Sequence, residues 1–152
     1  MIEVGQKAPA FKLEDQDEKT ATLAKYAGQW VVLYFYPRDD TPGCTKEACG
    51  FRDSWKQLGK RKVVVLGVSP DSPETHTKFA KKYELPFTLL SDPDRKVMTR
   101  YGAYGEKMMY GKTVQGVIRS TFVVDEKGKI AEAQYNVRAT GHVAKLRRDL
   151  SV

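Results

Sequence analysis

Two strongly apolar segments separated by a helix constrain the fold of this 152-residue chain more than any other feature. The segments Trp30 to Tyr36 and Val63 to Val68 lack polar alternation, which favours strands buried on both faces of a sheet. A helix is predicted between them, from Pro42 to near Gly59. A strand, a helix and a second strand in this order favour a parallel pair joined by a right-handed crossover.

The other predicted elements fit around this unit. Further strands are predicted at 10–13, 20–23, 87–90, 117–124 and 129–135. Further helices are predicted from Pro73 (after the N-cap residue Ser72), over 95–101, and from about Gly141. A strand pair, then βαβαβ, then ββα, predicts one mixed-sheet α/β domain over residues 1–152.

The turn between the first buried strand and its helix carries the clearest chemistry. It reads PRDDTPGCTKEAC over residues 37–49. Thr41 suits the N-cap, Pro42 suits the first helical position, and Cys44 then falls in the first helical turn. Free backbone N–H groups and the positive end of the helix dipole favour a thiolate there. The sequence therefore predicts a reactive sulfur at Cys44.

This segment resembles the peroxiredoxins, specifically the bacterioferritin-comigratory-protein or PrxQ subfamily. Members carry a proline, a threonine and a reactive cysteine spaced as Pro37, Thr41 and Cys44 are here. They also carry an arginine on a later strand, which Arg119 supplies in GVIRSTFVVD. The likeness covers nearly the whole chain. It implies a thioredoxin-like three-layer sandwich, with a central mixed sheet, flanking helices and an N-terminal β-hairpin extension.

The resemblance implies a thiol-dependent peroxidase that needs no metal, haem or flavin and oxidises Cys44 to a sulfenic acid. In the family the residues that match Pro37, Thr41, Cys44 and Arg119 form the peroxide site. Their chemistry suits the task, because Arg119 is a permanent cation with several donors and Thr41 offers a hydroxyl. The Gly43 N–H adds a fixed donor, and the ring of Pro37 can shield the sulfur from water. Hydrogen peroxide and organic hydroperoxides are the expected substrates.

Cys49 is the second of two cysteines, and we expect it to resolve the sulfenic acid through a disulfide with Cys44. Five residues along a helix separate Cys44 from Cys49 by a rise of ~7.5 Å and turn their side chains ~140° away from each other. A disulfide needs Cα atoms ~4.4–6.8 Å apart, so the helix is predicted to unwind during the cycle. Gly43 and Gly50 flank the segment and lower the cost of opening. The family implies a thioredoxin-type dithiol as reductant.

Composition excludes several other classes. No apolar run approaches the ~20 residues that cross a membrane. The start MIEVGQKAP lacks the apolar core of an export signal, so we expect a cytoplasmic protein. The net charge of +7 comes from dispersed cations interleaved with acids and without a nucleic-acid-binding signature, so no nucleic-acid partner is expected. No cysteine–histidine–carboxylate group has metal-ligand spacing, and the resemblance favours a monomer.

Two other functions stay open from sequence. A thiol–disulfide oxidoreductase on the same fold is the second interpretation, although such proteins normally place two residues between their cysteines and here four intervene. A basic nucleic-acid-binding module with structural cysteines is the third. His76 and His142 are isolated and are interpreted as packed or exposed. The segment Tyr101 to Tyr110 is placed at the rim of the pocket without an assigned role.

The charge of Arg119 also has more than one interpretation. A cation within an apolar segment is costly unless its charge is used. An ion pair with Asp39 or Asp40 is the structural alternative to a catalytic role. Glu47, three residues after Cys44, either positions Arg119 or faces solvent.

Overall fold

A seven-stranded mixed sheet organises the computed structural model, which describes residues 1–152. The strands are β1 (Lys12–Asp15), β2 (Thr20–Thr22), β3 (Trp30–Phe35), β4 (Val63–Ser69), β5 (Thr88–Ser91), β6 (Tyr104–Met109), β7 (Lys112–Val117), β8 (Ser120–Val124) and β9 (Ile130–Gln134). The helices are α1 (Pro42–Asp53), α2 (Trp55–Lys60), α3 (Pro73–Tyr83), α4 (Lys96–Arg100) and α5 (His142–Asp149), with a 3-10 helix at Leu23–Tyr26. The sheet order is β2-β1-β5-β4-β3-β8-β9.

The centre of the sheet is the predicted βαβ unit. Strands β3 and β4 pair in parallel from Trp30↔Val63 to Phe35↔Val68. Residues Val31 to Phe35 are buried because apolar clusters cover both faces of the sheet. Mixed strand directions and helices on the two faces agree with the predicted α/β fold class.

Strand β8 brings a distant part of the chain to the start of α1. It pairs antiparallel with β3, with Phe35 opposite Ser120. Because the two strands run in opposite directions, the first residue of β8 lies beside the last residue of β3. Arg119, which precedes β8, therefore lies at the edge of the sheet from which the chain enters the turn before α1.

The structure corrects two predicted elements and extends a third. The helix predicted from Pro42 to near Gly59 is divided at Ser54 into α1 and α2. The strand predicted over 117–124 is interrupted, because Ile118 N donates to Ala103 O at 2.7 Å where the chain passes from β7 into the main sheet. Arg119 thus lies between two strands and not within one. The N-terminal β1–β2 hairpin is an edge of the main sheet, since β1 also pairs with β5.

The segment left without a role forms much of a separate β-hairpin. Strands β6 and β7 pair with each other and form a two-stranded sheet. Its turn exposes Met108, Met109 and Tyr110. No helix combines the length and the apolar character required to cross a membrane.

Candidate active site

Cys44 lies in the first turn of α1 and is 1% exposed. Thr41 has the extended backbone of an N-cap residue, and its carbonyl accepts the N–H of Thr45 at 2.8 Å. Pro42 occupies the first helical position, where its missing N–H removes no helical hydrogen bond. Cys44 packs into one core cluster with Ala48, Phe51 and Leu58, which follow it along α1 and α2. This packing fixes the direction in which the Cys44 side chain leaves the helix.

Arg119 reaches both Cys44 and Glu47. Its Nη2 donates to Cys44 Sγ at 3.3 Å and its Nη1 donates to Glu47 Oε1 at 2.7 Å. The ion pair with Asp39 or Asp40 is not formed. Glu47 takes that place because residues three apart on a helix share a face. The positive charge of the guanidinium therefore lies against the sulfur of Cys44.

Glu47 is a buried carboxyl with one satisfied oxygen. Its Oε2 has no hydrogen-bond partner, and its side chain is fully buried. Burial raises the pKa of Glu47 to about 7, although the neighbouring Arg119 opposes that shift. The Tyr34 hydroxyl is also buried without a partner. Burial raises the pKa of Tyr34, and the charges of Glu47 and Cys44 add to this effect, so Tyr34 stays neutral.

Gly43 allows Arg119 to approach the helix. A Cβ atom at Gly43 would lie 3.2 Å from Arg119 Nη2 and 3.6 Å from Ala139 Cβ. The 3.2 Å distance is tighter than an ordinary van der Waals contact, so any side chain at residue 43 would press on the guanidinium of Arg119. Pro37, Thr41 and Gly43 are all half-buried, whereas Cys44 is buried.

The Thr41 hydroxyl does not cap the helix, although the sequence predicts Thr41 as the N-cap residue. Its Oγ1 donates instead to Arg38 O at 2.9 Å. The backbone N-cap geometry is still present. The hydroxyl oxygen keeps lone pairs that can accept a hydrogen bond from a peroxide.

Cys49 is half-buried in an intact α1 and forms no disulfide with Cys44. The two thiols are therefore separated by a folded helical segment, as their spacing predicts. Gly50 has a packing role that the sequence did not indicate. A Cβ atom there would lie 2.9 Å from Val143 Cγ2, so α1 packs directly against α5 at this glycine.

Sequence reasoning missed a second buried cluster, at the loop before Cys44. His76 Nδ1 lies 2.6 Å from Asp39 Oδ2, and Tyr36 OH donates to Asp39 Oδ1 at 2.5 Å. The isolated position of His76 in the sequence concealed this contact. The available signal was its place on the inward-facing stripe of α3, where a buried imidazole needs a polar partner.

His142 is also buried, with Nε2 2.8 Å from Thr121 Oγ1. The pKa of His142 is lowered to about 4, mainly by burial and also by the nearby cations Lys145 and Arg119. The imidazole is therefore neutral at physiological pH.

Asp39, Asp71 and His76 form the only carboxylate–histidine group close enough to hold a cation, with one ligand atom of each within 4.8 Å of the others. These atoms already bond within the chain. Asp71 Oδ2 accepts from the Asp39 N–H at 2.8 Å and from Ser69 Oγ at 2.7 Å. We therefore assign this group to a hydrogen-bond network.

Comparisons of the sequence and of the structure with known proteins agree on one protein family. Residues 4–133 match the AhpC/TSA family. A putative peroxiredoxin of Mycobacterium tuberculosis is 64% identical over 148 residues, covering 97% of this chain and 94% of the relative. Peroxiredoxin Bcp of Escherichia coli is 45% identical over 141 residues, covering 93% and 90%. The bacterioferritin comigratory protein of Xanthomonas campestris superimposes with a TM-score of 0.88 at 36% identity, covering 93% of this chain and 90% of its own. This superposition confirms the predicted thioredoxin-like fold class.

Proposed function

Because this chain belongs to the AhpC/TSA family and, within it, to the Bcp and PrxQ peroxiredoxins, we propose that Cys44 is the residue that attacks the peroxide. The chain is a thiol-dependent peroxidase, and the predicted resemblance is confirmed. The contact between Arg119 Nη2 and Cys44 Sγ carries the assignment of the residue. A disulfide oxidoreductase would leave this contact and the Glu47–Arg119 pair without a use.

The reaction requires a stable thiolate and stabilisation of charge on the leaving oxygen. The Cys44 thiolate attacks one peroxide oxygen, so that an S–O bond forms while the O–O bond breaks. The sulfur is oxidised to a sulfenic acid, and the other oxygen leaves as hydroxide or alkoxide and takes a proton. Arg119 stabilises the thiolate and the developing negative charge. Thr41 accepts a hydrogen bond from the peroxide, the Gly43 N–H donates one, and Pro37 excludes water.

The expected substrates are hydrogen peroxide and organic hydroperoxides. Peroxide is the substrate that the family implies. The Xanthomonas campestris relative is described by its alkyl peroxide reduction activity, which supports an organic hydroperoxide as a second substrate here.

Cys49 is the proposed resolving residue. Its thiolate attacks the sulfenic sulfur of Cys44, which forms the S–S bond and releases water after protonation of the leaving oxygen. A thioredoxin-type dithiol then reduces the disulfide by thiol exchange. In amide hydrogen exchange, protection of residues 45–50 is expected to fall on oxidation. Equal protection in the reduced and oxidised protein would contradict unwinding of α1.

The remaining properties follow from the same assignment. We propose that residues 1–152 act as one domain, because strands from both halves of the chain join one seven-stranded sheet. The likeness to PrxQ supports a monomer, and the two free cysteines suit the reducing cytoplasm. No metal, haem or flavin takes part in the proposed steps. Nucleic acid is not a proposed partner, since the cations are dispersed among acids.

The decisive experiment mixes fully reduced protein rapidly with one equivalent of hydrogen peroxide. The fluorescence of Trp30 and Trp55 and the free thiols are followed together. We expect two thiols to be lost per peroxide, no reaction in Cys44→Ser, and a trapped sulfenic acid in Cys49→Ser. Oxidation of the native protein no faster than a free thiol would overturn the assignment of Cys44.

A further inference from the structure

The loop between β3 and α1 carries two peroxide-site residues, Pro37 and Thr41, outside any regular element. Its central residue, Asp39, is 6% exposed although it is an acid in a surface turn. Both of its carboxylate oxygens are engaged, by Tyr36 OH and by His76 Nδ1. Its backbone N–H donates to Asp71 Oδ2. A buried carboxylate with every partner in place holds its loop rigidly.

His76 is held as firmly as Asp39. Its Nε2 lies 2.9 Å from Leu90 O, and a carbonyl only accepts, so this nitrogen carries the hydrogen. A proton then lies in the hydrogen bond between Nδ1 and Asp39 Oδ2. The side chains are 0% and 1% exposed, so water does not compete for these bonds. The charged and titratable groups that face the pair include Tyr36, Tyr34 and Asp71.

The network does not touch the sulfur. Cys44 Sγ receives its hydrogen bond from Arg119, whereas Asp39 and His76 bond to Tyr36, Asp71 and Leu90 O. Asp39 precedes Thr41 by two residues and follows Pro37 by two. Its effect on chemistry must therefore pass through the position of the loop.

We propose that Asp39 and His76 are positioning residues that hold Pro37 and Thr41 where the peroxide binds. This rests on the proposed attack by Cys44. Arg119 and Glu47 act on the sulfur, and Asp39 with His76 acts on the peroxide-binding loop. Loss of the loop anchor slows the reaction with peroxide but leaves the intrinsic reactivity of the thiolate unchanged.

Three further hydrogen bonds connect the loop and α1 to α3, the helix that carries His76. Asp40 accepts from Lys82 Nζ at 2.8 Å and from Tyr83 OH at 2.7 Å. Arg52 Nη1 donates to Tyr83 O at 2.8 Å and ties the last turn of α1 to the end of α3. The anchors therefore bound the segment that unwinds, and the loop stays fixed to α3 while Cys49 approaches Cys44.

The test compares Asp39→Ala with Asp39→Asn in a Cys49→Ser background, so that Cys44 is the only thiol. The asparagine keeps the geometry, because its amide oxygen accepts from Tyr36 and its NH₂ donates to His76 Nδ1. We expect Asp39→Ala to lower the second-order rate constant with hydrogen peroxide by about tenfold or more, since small misplacements of positioning groups are costly. The asparagine variant is expected within about threefold of the parent.

Alkylation of Cys44 by iodoacetamide reports the thiolate without the peroxide-binding loop. We expect its rate to change by less than about twofold in both variants and in Asp17→Ala, an exposed-acid control. A parallel loss of alkylation, equal slowing by alanine and asparagine, or an unaffected peroxide rate in Asp39→Ala would overturn the proposal. A peroxide reaction that persists in Cys44→Ser would instead overturn the proposed function.

A measurement on the native chain covers the case in which Asp39→Ala does not fold. Nitrogen-15 NMR of the His76 ring is expected to show protons on both nitrogens that exchange slowly with water. The same signals are expected after oxidation of the two cysteines. Rapid exchange of the Nδ1 proton, or loss of the signals on oxidation, would contradict a fixed anchor.

Discussion

The two buried acid–base pairs beside Cys44 differ in how completely they are satisfied. In the Glu47–Arg119 pair the arginine side chain is 17% exposed, and one oxygen of the fully buried Glu47 has no partner. In the Asp39–His76 pair both side chains are buried, and the hydrogen-bonding atoms of both have partners. One pair contacts the sulfur, and the other fixes a loop.

This difference indicates a chemical role for the Glu47–Arg119 pair and a positioning role for the Asp39–His76 pair. A buried carboxyl with an unpaired oxygen gains or loses its proton near neutral pH, as the pKa of about 7 for Glu47 indicates. A fully bonded pair keeps its geometry, because any change of protonation would break a buried hydrogen bond. The proposed peroxide site thus joins a part around Arg119 that responds to charge to a part around Asp39 that is held rigidly.

The largest expected effect comes from the half that contacts the sulfur. We expect Arg119→Ala to lower the rate constant with hydrogen peroxide by about 10²–10³-fold, as with loss of a donor to a developing oxyanion. Unlike Asp39→Ala, it should also slow alkylation of Cys44, because the thiolate loses its cation. Stopped-flow fluorescence and iodoacetamide labelling measure the two rates. Arg138→Ala, an exposed arginine on a neighbouring loop, is the control. An unchanged alkylation rate would remove the distinction between the two pairs.

An intermediate effect is expected from Glu47→Gln, which should change how the free energy of unfolding depends on pH. Folding raises the pKa of Glu47 from 4.5 to about 7, because burial disfavours the carboxylate. The folded state therefore holds this proton more tightly, and stability that is complete below pH 4.5 is lost as the pH rises through 7. The shift corresponds to about 3 kcal/mol of unfolding free energy.

Urea unfolding of the reduced protein at pH 5 and pH 8 measures this difference. The unfolding free energy of Glu47→Gln minus that of the parent should increase with pH, whatever its value at pH 5. The exposed Glu106→Gln serves as the matched control and should show no such increase. A difference independent of pH would mean that Glu47 is ionised at both pH values. The Glu47–Arg119 pair would then respond to pH no more than the Asp39 network does.

The smallest expected effect concerns His142, a buried histidine without a carboxylate partner. Its pKa is lowered from 6.5 to about 4, first by burial and then by Lys145 and Arg119. The folded state favours the neutral ring, so stability is complete above pH 6.5 and falls as the pH drops through 4. His142→Gln should reduce this acid-induced loss by roughly 1 kcal/mol, a value kept small by solvent screening of Lys145.

Thermal unfolding of the two proteins between pH 7 and pH 4 tests this expectation. The glutamine side chain retains a hydrogen-bonding group for Thr121, so the comparison isolates the titration. Identical acid dependence in both proteins would show that His142 is protonated as easily as an exposed histidine. It would then no longer contrast with His76, whose two ring nitrogens both have partners.

Different parts of the site were predictable to different degrees. The position of Cys44 in the first turn of α1 followed from Thr41 and Pro42, because capping is local. Arg119 was identified through the family resemblance, since it lies 75 residues from Cys44. Its partner stayed open among Asp39, Asp40 and Glu47. The Asp39–His76 pair, 37 residues apart, was not predicted.

Local signals were sufficient for the buried βαβ unit, the helix start at Cys44 and the separation of Cys44 from Cys49, because periodicity and capping depend on residues within a few positions. The tertiary structure decided which charges meet. The antiparallel pairing of β8 with β3 places Arg119 beside α1, and the inward face of α3 places His76 under the loop. Such contacts depend on strand order and helix docking, which the pattern of neighbouring residues does not encode. Short segments of the sequence therefore predict the reactive cysteine. Which charged groups contact one another near it is determined only by the tertiary structure.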